Sequence, residues 1–200
     1  MQQKYQDQQI KRLSWMPWLF HGLKPSLKSW VIDWQKDLQA QISDLETVTF
    51  SEGCFVSPEA MLFAEPHRGI VIGAGCTIAA QTVLHGPVSL ADHVSINHHC
   101  ALDGGQKGLS IGRHTRVAHA CTLYAFNHQM AADQLIRVQA VQSSGIQVGE
   151  DVWVGARTCI TDGVVVADHA VIGMGSVVTK NVDAWQKVAG VPAKPIGVRL

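Results

Sequence analysis

From about residue 48 an aliphatic or aromatic residue recurs at every sixth position. The first run is Phe50, Val56 and Leu62; after a four-residue insertion come Ile72, Ile78, Leu84, Leu90, Ile96 and Leu102. Three inserted residues later stand Ile111, Val117 and Leu123, and after a longer excursion Val148, Val154, Ile160, Val166, Ile172 and Val178. A second series, four residues after the anchors, is small or β-branched throughout: Cys54, Ala60, Cys76, Thr82, Val88, Val94, Cys100, Thr115, Cys121, Val152, Thr158, Val164, Ala170, Ser176 and Val182. A strict period of six rotates steadily around a 3.6-residue helix, so an α-helix is excluded. One bulky and one small inward position per six residues predict short strands meeting at tight corners. A single coil of this kind cannot bury its inner face, so coils must stack.

Residues 1–47 follow a different pattern. Leu27, Trp30, Val31, Trp34, Leu38 and Ile42 fall three and four apart, one face of a helix that starts near Pro25 with Ser26 as its expected N-cap. Tyr5 to Ser14 predicts a shorter helix ended by Pro17. The segment is read as a helical cap on the main body. The alternative is an interfacial or partner-binding surface over residues 10–34, since Lys11, Arg12, Lys24 and Lys28 flank its tryptophans. The expected organisation is thus a helical segment at 1–47, a repeat domain at 48–183 with a long loop at 124–147, and a tail at 184–200.

Composition narrows the function classes. Sixteen basic residues balance sixteen acidic ones, which argues against a nucleic-acid partner held by a basic field. Hydrophobic residues make up 46% of the 200, enough to exclude disorder, and no apolar run reaches a membrane-spanning length. The N-terminus is too polar for a secretory signal, so a cytoplasmic protein is expected. Five cysteines without a CxxC pair suggest neither a disulfide framework nor a zinc finger; four of them occupy the small inward position. Ten histidines are the compositional anomaly, and seven lie between His85 and His128.

The repeat resembles the hexapeptide-repeat family, which implies a left-handed parallel β-helix with three hexads per coil, here about six coils. Within that family, VWVGA at 152–156, GMGSVVTK at 173–180 and GVPAK at 190–194 are similar to the coenzyme A-dependent O-acyltransferases. INHHCALDGG at 96–105 with LSIG at 109–112 resembles the polysaccharide-modifying members. The resemblance implies acetyl-CoA as co-substrate with no metal, a saccharide acceptor, and a homotrimer with sites between neighbouring subunits. Residue by residue, the family's catalytic histidine falls on His128, where the chain leaves the repeat. A neutral imidazole there suits removal of a hydroxyl proton as the thioester is attacked.

The same resemblance places Asn97 near the acceptor hydroxyl, with His99 and Asp103 as further substrate-binding candidates. It places Trp153 along the pantetheine arm, and Ala156, Gly173, Met174, Thr179, Lys180 and Lys194 around the coenzyme. Met174 departs from the small residue many members carry there. Two rival readings stand beside this one. Gamma-type carbonic anhydrases share the fold, and His85 with the pair His114 and His119 resembles their zinc ligands, although the register is displaced by one residue, enough to turn a side chain to the other face. A non-catalytic hexapeptide scaffold is the third reading.

Overall fold

A computed structural model describes residues 3–200. Eighteen short strands in six consecutive coils form a triangular parallel β-helix. Each coil contributes one strand to each of three faces. The first face runs from Val48–Phe50 through Ile70–Ile72, Val88–Leu90, Leu109–Ile111 and Ile146–Val148 to Val165–Val166. The second begins at Phe55–Val56 and includes Arg116–Val117 and Trp153–Val154; the third begins at Met61–Phe63 and includes Val83–His85, Ala101–Asp103 and Thr122–Tyr124. Anchors pair with anchors throughout: Ile72 faces Leu90, Ile78 faces Ile96, and Leu84 faces Leu102.

The hexad explains the core. Every anchor after Phe50 is buried, and Phe50 packs half-buried at the open end. Cys54, Cys76, Cys100 and Cys121 are buried in the small-residue row, while Cys159, outside that row, is exposed. Each fully buried Val, Leu or Ile side chain contributes about 1.5–3 kcal/mol, so a continuous interior column stabilises the stack coil by coil. Coil spacing, about 4.8 Å, leaves no room for a side chain at some corners. A methyl group on Gly155 would sit 2.5 Å from the Met174 nitrogen and 2.6 Å from the Ile172 oxygen.

Corner geometry also accounts for many of the histidines. His67, His93, His99, His114 and His169 all have φ between 59° and 69°. This left-handed region is costly for most side chains but is enriched in Asn, Asp and His. Half of the ten histidines therefore sit where the corner backbone selects them.

The N-terminal segment folds as α1 (Gln3–Trp15), a short 3-10 turn at Pro17–Leu19, and α2 (Pro25–Leu45). The expected cap at Ser26 is corrected: Lys24 is the N-cap and Pro25 the first helical residue. Proline fits that position because its missing N–H would have been unpaired there anyway. Leu13, Phe20 and Val31 form a buried cluster with Phe55 on the second face, and Trp30 and Trp34 pack against it. Leu38 and Ile42 of the predicted helix face extend the main core. Among the described residues no helix is long and apolar enough to cross a membrane.

Gln35 lies on that same face and is buried. Its side-chain amide donates to the Val56 carbonyl at 3.0 Å, and its carbonyl accepts from the Val56 N–H at 2.8 Å. Gln39 donates to the Cys54 carbonyl at 3.0 Å. Helix α2 thereby satisfies the exposed edge of the first coil. At the other end Gln186–Ala189 adds a parallel strand to the second face, and Lys194–Val198 turns back antiparallel on it.

Candidate functional site

The insertions all leave the solenoid at the edge between the third and first faces. The longest, residues 125–145, forms an arm in which Asn127–His128 pairs antiparallel with Val141–Gln142. Its two ends are tied together. Ser143 Oγ donates to the Ala125 carbonyl at 2.5 Å and accepts from the Gln106 and Lys107 N–H groups at 3.0 Å each. Ser144 and Gly145 N–H groups donate to the Asp162 carboxylate at 2.9–3.0 Å. His128 is exposed on this arm, and its ring meets Phe126 edge-on at 6.2 Å. Phe126 in turn stacks on Tyr124 at 5.7 Å.

Tyr124 lines a cavity of ≈ 300 Å³ on the third face, together with Phe63, Glu65, His85 and Asp103. Its polar wall is closely bonded. His85 Nδ1 lies 3.0 Å from Asp103 Oδ2, and its Nε2 lies 3.2 Å from Glu65 Oε1. Asp103 Oδ1 accepts from the Gly105 N–H at 2.9 Å. Arg68 Nη2 donates to the Gly86 and Gly105 carbonyls at 2.6 and 3.0 Å. Burial works against a charged His85, but the hydrogen bonds to Asp103 and Glu65 outweigh it and hold its pKa above the ordinary histidine value. Glu65 is held below the usual carboxylate range, by its own backbone N–H first and by His85 second.

A stability prediction follows from these directions. A raised histidine pKa adds stability that is fully present below the unfolded value, about 6.5, and is lost as pH rises through the folded value. The melting-temperature gap between the parent and His85→Gln is therefore expected to be largest near pH 6 and to shrink by pH 9. Melts across that range check it; a gap that does not change with pH would mean His85 carries no charge.

The other candidates sit elsewhere. Asn97 and His99 lie at the corner between the second and third faces. Asn97 Oδ1 accepts from the His98 N–H at 2.9 Å, a corner-capping contact, and His99 holds a φ of 59° beside Trp15. Two coils further along the same corner is Ala156, with Gly173 and Met174 stacked on it; the Gly175 N–H donates to the Ala156 carbonyl at 2.8 Å. Trp153 projects from the second face with 56% of its surface exposed, between the buried Val152 and Val154, and Met174 is 75% exposed. Thr179 and Lys180 are exposed at the opposite edge of the third face, and Lys194 begins the last strand opposite Ala189. Asp103 and the root of the His128 arm thus share one edge, while Asn97, His99, Ala156, Gly173 and Met174 share the other.

The three histidines of the zinc reading are dispersed. His85 pairs with carboxylates on the third face, His114 stacks on His93 at 5.2 Å, and His119 stacks on His98 at 5.2 Å at another corner. Among the described residues no group of three His, Cys, Asp or Glu side chains is placed to hold a metal ion. His98 is kept below the ordinary histidine pKa by burial and then by its neighbours His119 and His99.

Residues 145–180 match the family model described as bacterial transferase hexapeptide (six repeats). The matched segment takes in the last two coils, from Ile146–Val148 to Val177–Val178. Among curated relatives it is 34% identical over 88 residues to the galactoside O-acetyltransferase of Escherichia coli, covering 44% of this chain and 43% of that one. It is 26% identical over 119 residues to a putative lipopolysaccharide biosynthesis O-acetyl transferase of the same organism, covering 56% and 60%. The match thus spans less than two thirds of either relative. An N-acyltransferase from Bacillus cereus, solved with dTDP and 3-hydroxybutyryl-CoA, superposes with a TM-score of 0.71 over 81% of this chain and 88% of that one at 22% identity. A maltose O-acetyltransferase from Clostridium difficile gives 0.53 over 84% and 86% at 18% identity. These two neighbours establish the fold, a left-handed parallel β-helix.

His85, Glu65, Arg68 and Tyr124 had no place in the acetyltransferase reading of the sequence. The signal for two of them is arithmetic: His85 and Tyr124 follow anchors Leu84 and Leu123 as Asp103 follows Leu102, and the three are register partners.

Proposed function

We propose that this protein is an acetyl-CoA-dependent acetyltransferase acting on a hydroxyl of a sugar or polysaccharide precursor, with His128 as general base. The observation that carries the reading is the decoration of an otherwise regular solenoid. One edge bears an arm with an exposed imidazole, and the other an exposed indole and thioether on the last two coils. Packing requires none of these exposed groups. The relatives support it, one being a galactoside O-acetyltransferase and another a putative lipopolysaccharide biosynthesis O-acetyl transferase, and the Bacillus cereus neighbour was solved with an acyl-CoA.

The residues fit that co-substrate. Trp153, Ala156 and Met174 offer an apolar strip for the pantetheine arm, and Lys194, with Lys180 from the arm-bearing edge of a neighbouring copy, offers point charges for the phosphates of coenzyme A. Acetyl-CoA would supply the activated acyl group. His128 would take the acceptor hydroxyl proton as the oxygen attacks, which a neutral imidazole does well near neutral pH. The arm and the strip occupy opposite edges of one face, so a site using both draws them from neighbouring copies. A homotrimer is the assembly we propose.

The test is thiol release from acetyl-CoA with a panel of saccharides. Trp153→Ala is expected to raise the KM for acetyl-CoA about tenfold with kcat nearly unchanged, the mark of lost uniform binding. No release above buffer with any saccharide would remove the reading. Release only with amino sugars would move the product from ester to amide.

A further inference from the structure

The Glu65–His85–Asp103 arrangement restricts the protonation state of the ring. A neutral imidazole has one N–H and one bare nitrogen. With carboxylate oxygens 3.0 and 3.2 Å from its two nitrogens, it could donate to one and would present a lone pair to the other. Only the imidazolium donates to both. The groups facing the ring are Glu65, Asp103 and the Arg68 guanidinium, whose Nη atoms lie 3.8 Å from Glu65 and 3.9 Å from Asp103. Two positive and two negative groups leave the cluster neutral while His85 is charged. Loss of its proton leaves a net negative charge on the cavity wall.

The cluster is also connected to the arm. Asp103 holds the Gly105 N–H, and the next two N–H groups of that turn hold Ser143 Oγ, which bridges to Ala125. Gly105 cannot be displaced outward freely, since its carbonyl is held by Arg68. A continuous chain of hydrogen bonds therefore runs from His85 to both ends of the segment that carries His128. The cavity itself has two aromatic side chains, Phe63 and Tyr124, on its rim.

We propose that His85 is a positioning residue. As an imidazolium bridging Glu65 and Asp103, it fixes both the wall of the third-face cavity and the root of the His128 arm. The inference rests on the acetyl-transfer reading and adds a residue to it. His85 touches no reacting atom. It acts through Asp103 and the 104–108 turn, and its influence ends when the ring loses a proton: the hydrogen bond to one carboxylate fails, and the turn that holds the arm is released.

The experiment follows the ring and the reaction together. Histidine ring nitrogens are observed by NMR in the full-length protein from pH 5 to 9, for the parent, Glu65→Gln and His85→Gln. In the same buffers kcat/KM for a saccharide acceptor and KM for acetyl-CoA are measured. Both nitrogens of His85 are expected to carry protons at pH 6.5. In the parent, kcat/KM for the acceptor should fall about tenfold as the ring titrates. Glu65→Gln removes one carboxylate and should move both the titration and that fall to lower pH by about one unit, near tenfold in the protonation equilibrium. KM for acetyl-CoA should stay within about twofold.

His85→Gln should be low at every pH and lack the fall, which a purely structural role would leave in place. A neutral ring at pH 6.5, or a fall that stays put when the titration moves, would overturn the proposal. If the parent transfers no acyl group to any saccharide, the functional reading fails and the role of the clamp with it. The NMR titration would still report whether the clamp exists.

Discussion

Replacing His128 by alanine is expected to lower turnover by roughly 10²–10⁴-fold, the usual range for loss of a positioned general base, while coenzyme binding changes little. The geometry makes this a clean experiment. His128 is exposed, its backbone pairs with Val141 across the arm, and its ring contact is an edge-on meeting with Phe126. A methyl group at that position leaves the pairing intact and opens no cavity, so the fold should melt within a degree or two of the parent. The strip proposed for the coenzyme, Trp153, Ala156 and Met174, keeps all of its own side chains in this variant, so coenzyme affinity should change little. Turnover by thiol release and affinity by calorimetry check the two halves separately. Turnover within fivefold of the parent would take His128 out of the mechanism. Weakened coenzyme binding with normal turnover at saturation would make it a binding residue instead.

Much of this architecture was legible because a period of six admits so few structures. The anchors from Val56 to Val178 are buried in their predicted register, and the interruptions after Leu62, Leu102 and Leu123 are the insertions of a single edge. What the pattern could not give was anything set by contacts across that register. Ser26 resembles a cap in isolation, but Pro25 fits the first helical turn and moves the cap back to Lys24. The contact that Asn97 Oδ1 accepts from the His98 N–H is likewise read only from the folded corner. His85 entered the sequence argument only as a metal ligand, because its pairing with Asp103 needs two chain positions eighteen apart to be laid side by side. The same operation separates His114 from His119, which the linear spacing had brought together. The abundance of histidine became intelligible only with dihedral angles, since five of them occupy left-handed corners.

Gln35→Met is expected to be the most damaging single change to stability outside the coils. The substitution keeps side-chain length and helix propensity, so α2 itself should survive. It removes both hydrogen bonds that Gln35 makes to Val56 and leaves that buried N–H and carbonyl unpaired. Each such group costs about 1–3 kcal/mol; with the relief of burying an apolar chain in place of an amide set against them, a net loss of about 2–4 kcal/mol is expected. Denaturant unfolding should show a lower midpoint with an unchanged slope, because the surface exposed on unfolding is the same. Gln39→Met removes two part-buried bonds from one amide, to the Cys54 carbonyl at 3.0 Å and to Gln35 Oε1 at 3.2 Å, and leaves Gln35 paired with Val56; it should cost under about 1.5 kcal/mol and serves as the internal comparison. The unpaired edge has a second consequence. Val56 belongs to the terminal strand of the second face, and an uncovered strand edge is a template for pairing with another chain. Concentration-dependent association should therefore accompany the loss in Gln35→Met and be absent in Gln39→Met. Equal, small effects from the two variants would show that α2 covers the end of the helix by apolar contact alone, through Leu38 and Ile42 against the core.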